Sequence, residues 1–278
     1  MPRNVAGDSR ELGLELGLLA LRFFAGTEEL HYGLWDGLDV RLENLPAAQK
    51  QYTENLVAHI PDEAGAVLDV GCGTGVVASR LLERGHEVEC VSPSAVLADR
   101  AAERLGSAVP IHRCTFQALE VERQFDVVLF SESFQYIPMD ESLPRAKRLL
   151  RPGGVIVICD FFRTDAPGRG PLGGGHRYRD LPAAVEAAGL RIRHEEDLTD
   201  RIAPSMGLFE QCSRELLQPG AAAVSAYSRR RHPWVSALLA RLFRRRLAKF
   251  QRKYLSGERN EAAFRHWKTY RLLVLEPG

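Results

Sequence analysis

Several protein classes are excluded by what the 278-residue chain lacks. Its five cysteines, Cys72, Cys90, Cys114, Cys159 and Cys212, are an odd set without a CxxC pair. That argues against a disulfide framework and a structural zinc site, so no metal is expected and a reducing cytoplasm is the expected compartment. No run of about 18 uncharged apolar residues exists to span a bilayer. The leucine-rich stretch from Leu12 to Phe24 holds Glu15 and Arg22 without a basic leader, a poor fit to a signal peptide. Net charge is nearly absent too, +1 from 37 basic and 36 acidic residues. This balance is an average: residues 216–257 hold ten Arg or Lys and no Asp or Glu, leaving 27 basic against 36 acidic residues elsewhere. What is present is 45% hydrophobic residues with 24 Gly and 15 Pro, enough for a full globular core.

From Ala66 onward, short β-branched runs alternate with helical segments: AVLDVG, TGVVASRLLERG, EVECV, a helix over 95–105, VPIHRC, FDVVLF, a helix over 141–150, GGVIVICD, a helix over 181–188 and GLRIRHEE. Continuous apolar strands separated by helices predict an α/β fold, a mostly parallel doubly wound sheet covered on both faces. Gly85, Gly106, Gly153 and Gly189 stand where helices stop. Residues 1–60 read as a helical lid and 61–200 as the core. Residues 201–265 read as a helical cap insertion, and 266–278 as a seventh strand around the apolar run Tyr270 to Leu275. Pro167 to Gly175 reads as a mobile glycine-rich loop.

The sharpest motif is VLDVGCGTG, Val67 to Gly75: a strand ending in an acid, then a glycine-rich turn opening a helix with unpaired N–H groups. A nicotinamide or flavin domain would prefer GxGxxG and an acid ending the second strand. The tighter GxGxG, with FDVVLFSESFQYI and LLRPGGVIVICD following in order, resembles the class I S-adenosylmethionine-dependent methyltransferases. The resemblance covers residues 66–160 and implies a Rossmann-like seven-stranded sheet, S-adenosylmethionine as cofactor and methyl transfer. By this resemblance Asp69, Gly71, Cys72, Gly73, Gly75 and Ser131 bind the cofactor. The sequence departs from the family where Ser92, followed by Pro93, replaces the acid that holds the ribose, and where Thr115 and Phe116 replace an acid near the adenine; recognition there falls to hydroxyls, backbone and aromatic packing. The Ser-Pro pair, and Tyr32 with Gly33 in LHYGLWDG, are similar to a subgroup acting on lipid-like acceptors, in which Tyr32 and Gly33 would close over the cofactor.

In-line displacement at a sulfonium needs alignment in a dry pocket, and a base only where the acceptor loses a proton. His31, Glu132 and His176 are the catalytic candidates, with Tyr136, Tyr178 and Asp160 in the same loops beyond the strand ends. Cys72 lies in the glycine turn, where its backbone matters more than its thiol. Cyclopropanation of an unsaturated chain, or a cofactor-binding module acting through partners, stand as alternatives.

The basic segment, residues 229–253, has three readings. Trp234, Val235, Leu238, Leu239 and Leu242 form one helical stripe, and Phe243, Leu247, Phe250 and Tyr254 a second, rotated one. The change of stripe predicts a kink near Arg244–Arg246 or packing on two neighbours, which disfavours peripheral membrane contact through one face. A cap whose rim attracts a small or lipid-like acceptor, acidic in character, is the second reading, and a solvated face the third. Nucleic acid fits poorly beside an acidic body with no recognised binding module.

Overall fold

The computed structural model describes residues 9–168 and 170–278. The first eight residues of the expected lid, and Arg169 of the glycine-rich loop, lie outside the described residues. Helices α1 (Ser9–Ala25) and α2 (Leu45–Val57) precede the sheet. The alternation then gives β1 (Ala66–Val70), α3 (Val76–Glu83), β2 (Glu87–Val91), α4 (Ala95–Leu105), β3 (Ile111–His112), β4 (Phe125–Ser131), α5 (Met139–Leu149), β5 (Leu150–Arg163), α6 (Leu181–Ala187) and β6 (Leu190–Asp197). Helices α7 (Thr199–Ile202), α8 (Pro204–Cys212), α9 (Gln218–Arg231), α10 (Pro233–Leu242), α11 (Arg244–Phe250) and α12 (Glu261–Trp267) separate β6 from β7 (Lys268–Pro277).

The strands form one seven-stranded sheet in the order β3-β2-β1-β4-β5-β7-β6. The pairs from β3 to β5 are parallel, and β7 runs antiparallel between β5 and β6. This is the expected mostly parallel Rossmann-like sheet. Alternating side chains divide into two cores, as the two-residue strand period requires. Val67, Val127 and Val157 meet Leu56 of α2 and Leu81 of α3 on one face. Leu68, Val128 and Ile156 meet Leu143 of α5 and Val185 of α6 on the other. Helix starts follow local chemistry: Ser94 Oγ accepts from Leu97 N at 3.2 Å, and Asn260 Oδ1 from Ala263 N at 2.8 Å.

One expectation is corrected here, a second is met and a third is refined. The glycine-rich loop is tied down: Lys268, buried at the start of β7, donates through Nζ to the carbonyls of Gly173 and Gly174 at 3.1 and 2.6 Å, and Arg259 Nε donates to Pro171 O at 3.2 Å. The helix break in the basic segment falls at Phe243, with φ −98° and ψ 12°, just before the expected Arg244–Arg246. The insertion also divides: α7, α8 and α12 contribute Ile202, Met206 and Phe264 to the core, whereas α9 and α10 bury no residue. The basic segment is therefore an exposed arm, and the apolar residues from Trp234 to Phe250 in its two stripes are exposed. Among the described residues no helix is long and apolar enough to cross a membrane.

Candidate active site

Asp69 sits at the C-terminal end of β1, 1% exposed, and neither carboxylate oxygen has a hydrogen-bond partner among the described residues. Burial pushes its pKa up to about 7, because an isolated carboxylate loses its water there. The following turn is anchored to β2 by Gly71 N and Cys72 N, which both donate to Val91 O, at 2.8 and 3.3 Å. The three glycines have different reasons. A Cβ at Gly71 would meet Ser133 Cβ at 2.4 Å, and one at Gly75 would meet Leu105 and Ala101 at 3.1 to 3.3 Å, so both are needed for the protein to pack on itself. Gly73, at φ +56°, has nothing within 4 Å of its Cβ position and leaves main chain open to a ligand. Buried Cys72 contributes its backbone to the same turn. Thr74 Oγ1 donates to Glu28 O at 2.9 Å, drawing the segment after α1 over this loop.

A second group gathers beyond β4. Glu132 is the one non-glycine residue with positive φ, +52°, among the described residues. Its Oε1 accepts from Tyr32 N at 3.0 Å and from the Tyr270 hydroxyl at 2.8 Å. Burial raises the carboxyl above its ordinary value, against the lowering influence of His31 and the two donors. Tyr270 OH also lies 3.0 Å from Tyr52 OH, and Tyr52 OH lies 3.1 Å from Ser131 Oγ. Thus residues from α2, β4 and β7 meet at one point.

His31 belongs to this group with both nitrogens engaged. Nδ1–H donates to Tyr32 O at 2.7 Å, Nε2 lies 3.2 Å from Thr53 Oγ1 and 3.0 Å from Glu29 Oε2, and the ring stacks on Tyr52 at 4.2 Å. Burial alone would lower the imidazole's pKa; the hydrogen bond and charge of Glu29 outweigh it and raise the value. Gly33 N donates to Ser205 Oγ on α8 at 3.2 Å, and Trp35 Nε1 to the same oxygen at 2.9 Å.

The remaining candidates spread out. Ser92 is buried and its hydroxyl donates to Ser94 O at 3.3 Å inside the β2–α4 turn, while Pro93 and Thr115 are exposed. The Phe116 ring is turned into the second core, edge-on to Phe130 at 5.4 Å, which leaves its backbone as the group that can face a ligand. His176 Nε2–H donates to Phe134 O at 3.1 Å. Asp160, fully buried, accepts from Gln135 N and Phe161 N at 2.9 and 2.8 Å, and burial first, then nearby Glu132, pushes its pKa up to about 8. Tyr178 donates to Glu195, and Tyr136 is exposed. Glu89, the acid inside β2, is tied to His112 and Arg123 at 2.8 and 3.2 Å. Among the described residues, one set of metal-ligating types, His59 just beyond α2 with His194 and Glu196 of β6, brings its ligand atoms within 4.8 Å of one another, with Glu196 already paired to Arg201 at 2.6 Å.

Tyr52, Tyr270, Ser205 and Glu29 carry no motif and were not among the expected residues. Their only sequence signal is polarity within apolar or helical surroundings, which is shared by many residues without a role.

These residues fit S-adenosylmethionine. Its amino-acid end carries an ammonium group, which Asp69's two unpartnered oxygens would hold, and Gly73 leaves the turn approachable. A family model described as a methyltransferase domain matches residues 67–154. The chain is 32% identical over 200 residues to 27-O-demethylrifamycin SV methyltransferase of Amycolatopsis mediterranei, covering 64% of this chain and 72% of that protein. Matched stretches in several further methyltransferase relatives span 54% to 62% of those proteins. Geranyl diphosphate C-methyltransferase from Streptomyces coelicolor A3(2), solved with S-adenosyl-L-homocysteine, superposes with TM-score 0.66 at 18% identity over 98% of this chain and 99% of that one. The cyclopropane synthase MmaA2 from Mycobacterium tuberculosis gives 0.68 at 14% identity over 94% and 95%. At such identities the solved structures speak for the fold, while the rifamycin-modifying relative reaches further. Motif, sheet order and relatedness together make this chain a member of the class I S-adenosylmethionine-dependent methyltransferases.

Proposed function

We propose that the chain methylates a small, lipid-like acceptor, with Glu132 as general base and Asp69, the turn from Gly71 to Gly75 and the Tyr32–Gly33 segment seating the cofactor. The observation that carries this reading is Glu132 itself. It holds a left-handed backbone that costs a non-glycine residue free energy, and such strain persists where surrounding contacts over-determine it. Both of its hydrogen bonds fall on Oε1, leaving Oε2 for an acceptor's proton. A carboxyl whose pKa lies above its ordinary range is better matched to accept that proton near neutral pH.

When bound, the cofactor supplies an electrophilic methyl group on a sulfonium. Glu132 receives the acceptor's proton, Tyr270 holds the Glu132 carboxylate in place, and Asp69 fixes the cofactor's charged end. His31, whose Nδ1–H donates to the Tyr32 carbonyl, and His176, whose Nε2–H donates to the Phe134 carbonyl, act as positioning residues. The lipid-like acceptor is supported by aromatic surface beside this point: the Tyr32 ring, partly buried, meets Phe264 and Tyr270 edge-on at 5.8 and 6.2 Å. The small-molecule class is supported by the named activity of the rifamycin-modifying relative. All five cysteines are free thiols, which suits the cytoplasm.

Incubation with trideuteromethyl-labelled cofactor and fractionated lipid extract tests the reading. A product retaining three deuterons is expected; one retaining two marks cyclopropanation, and no labelled product in any fraction overturns the enzyme assignment. Glu132→Gln should lower turnover by roughly 10² to 10⁴ and remove the acid limb of the pH–rate profile while leaving S-adenosylhomocysteine affinity unchanged. Unchanged turnover in that variant removes Glu132 from the role of base.

A further inference from the structure

We propose that the arm formed by α9, α10 and α11 is a docking surface for an anionic lipid bilayer. Residues 216–257 carry ten basic residues and no acid, and Arg229, Arg230, Arg231, Arg241 and Arg244–Arg246 are exposed. The apolar stripe of α10 is exposed beside them: Trp234 is 88% exposed, Leu238 57% and Leu242 67%. Phe243, Leu247 and Phe250 continue outward-facing apolar surface through α11. A Trp and Leu stripe flanked by arginines is the pattern of a helix lying in the headgroup plane, with rings at the acyl boundary and guanidinium groups among phosphates.

The broken stripe no longer argues against this. Two stripes on one continuous helix would imply two packing partners, but the helix breaks at Phe243; the first stripe is exposed throughout and the second through Phe250, with only Tyr254, at the arm's root, turned toward Phe209. Each short helix therefore presents its own face. The root of the arm is closed on itself, where Ser213 donates to the Tyr254 carbonyl, so the arm is an excursion from the fold with both ends held together.

Charge selects the occupant. A second copy of the same arm would set these exposed arginines against their own kind with no acid to offset them, which disfavours self-association. An anionic bilayer satisfies the arginines and the exposed Trp, Leu and Phe at once. The arm is also continuous with the site: α8, which leads into it, carries Ser205, the residue that holds Gly33 and Trp35. Leu208 on α8 and Leu21 and Ala25 of α1 pack against the same cluster of Trp35, Leu45 and Ala48, and the outer Phe23 of α1 is 83% exposed. This docking surface stands independently of the acceptor proposed above.

The test is co-sedimentation of the full chain with phosphatidylcholine vesicles, with and without phosphatidylglycerol, at low and high salt. Binding is expected only with phosphatidylglycerol, weakening as salt rises, with a blue shift of tryptophan emission that Trp234→Phe abolishes. Replacing Arg244, Arg245 and Arg246 together by Gln should weaken binding roughly a hundredfold. Trp234→Ser with Leu238→Ser and Leu242→Ser should abolish it, and both variants should keep the parent affinity for S-adenosylhomocysteine, which reports an intact fold. The proposal is overturned if phosphatidylglycerol vesicles do not retain the chain at low salt, or if both variants bind as the parent does. Retention of a small acidic carrier protein without vesicle binding, or a dimer that the same substitutions dissolve, overturns it equally.

Discussion

Asp69 is a charge-bearing group placed where water does not reach, and the free protein bears the cost. Its carboxyl holds a proton to about pH 7 when folded, against 3.8 for the ordinary value. Between those limits the native state binds more protons than the unfolded state, so stability falls as pH rises through that window. The upper limit of this cost is about 4 kcal/mol. Asp69→Asn should therefore raise the melting temperature of the free protein at pH 8, with the gain shrinking to nothing toward pH 4. It should also weaken S-adenosylhomocysteine binding roughly tenfold to a hundredfold, since a charge-assisted bond is lost. Thermal denaturation across pH and calorimetry check the two halves. A variant that gains stability without losing affinity would place Asp69 outside the cofactor seat.

The glycine turn after β1 serves two masters, and substitution separates them. Gly73→Val sets a branched side chain in open space at φ +56°; the fold should survive with modest strain while cofactor binding is lost. Gly71→Ala meets Ser133 at 2.4 Å, where Ser133 also donates to the Val70 carbonyl, and should cost stability first, read as a lower denaturation midpoint. The elements themselves were legible because their signals are local. Strand runs and the helices between them follow from residues a few positions apart, and Asp69 and Glu132 were visible because each directly ends or follows a strand in a recognisable string. The Tyr52–Tyr270 hydroxyl contact was not visible: the two residues lie 218 positions apart and meet only because β7 inserts beside β5. The direction of the Phe116 ring was hidden for a related reason: its place after β3 is legible, but its packing on Phe130 is a choice made by tertiary structure.

At the scale of the whole molecule, charge is sorted by architecture. Acidic residues belong to the sheet domain and its helices, and the basic block is confined to an exposed excursion between β6 and β7. The order of strands adds a consequence in time. β7 is last in chain order yet lies between β5 and β6, so a growing chain that has made β6 still has a gap in its sheet. The gap stays open while some seventy more residues emerge, leaving the β5 and β6 edges unpaired and needing protection from neighbouring chains. Because Tyr270 rides on the strand that fills the gap, the Glu132 cluster is completed by the same event that closes the sheet. With Glu132 in the proposed role, a nascent chain should stay silent until β7 docks. A chain stopped at Trp267 should accordingly show no cooperative unfolding transition and no S-adenosylhomocysteine binding, and a folded, cofactor-binding fragment would break the link.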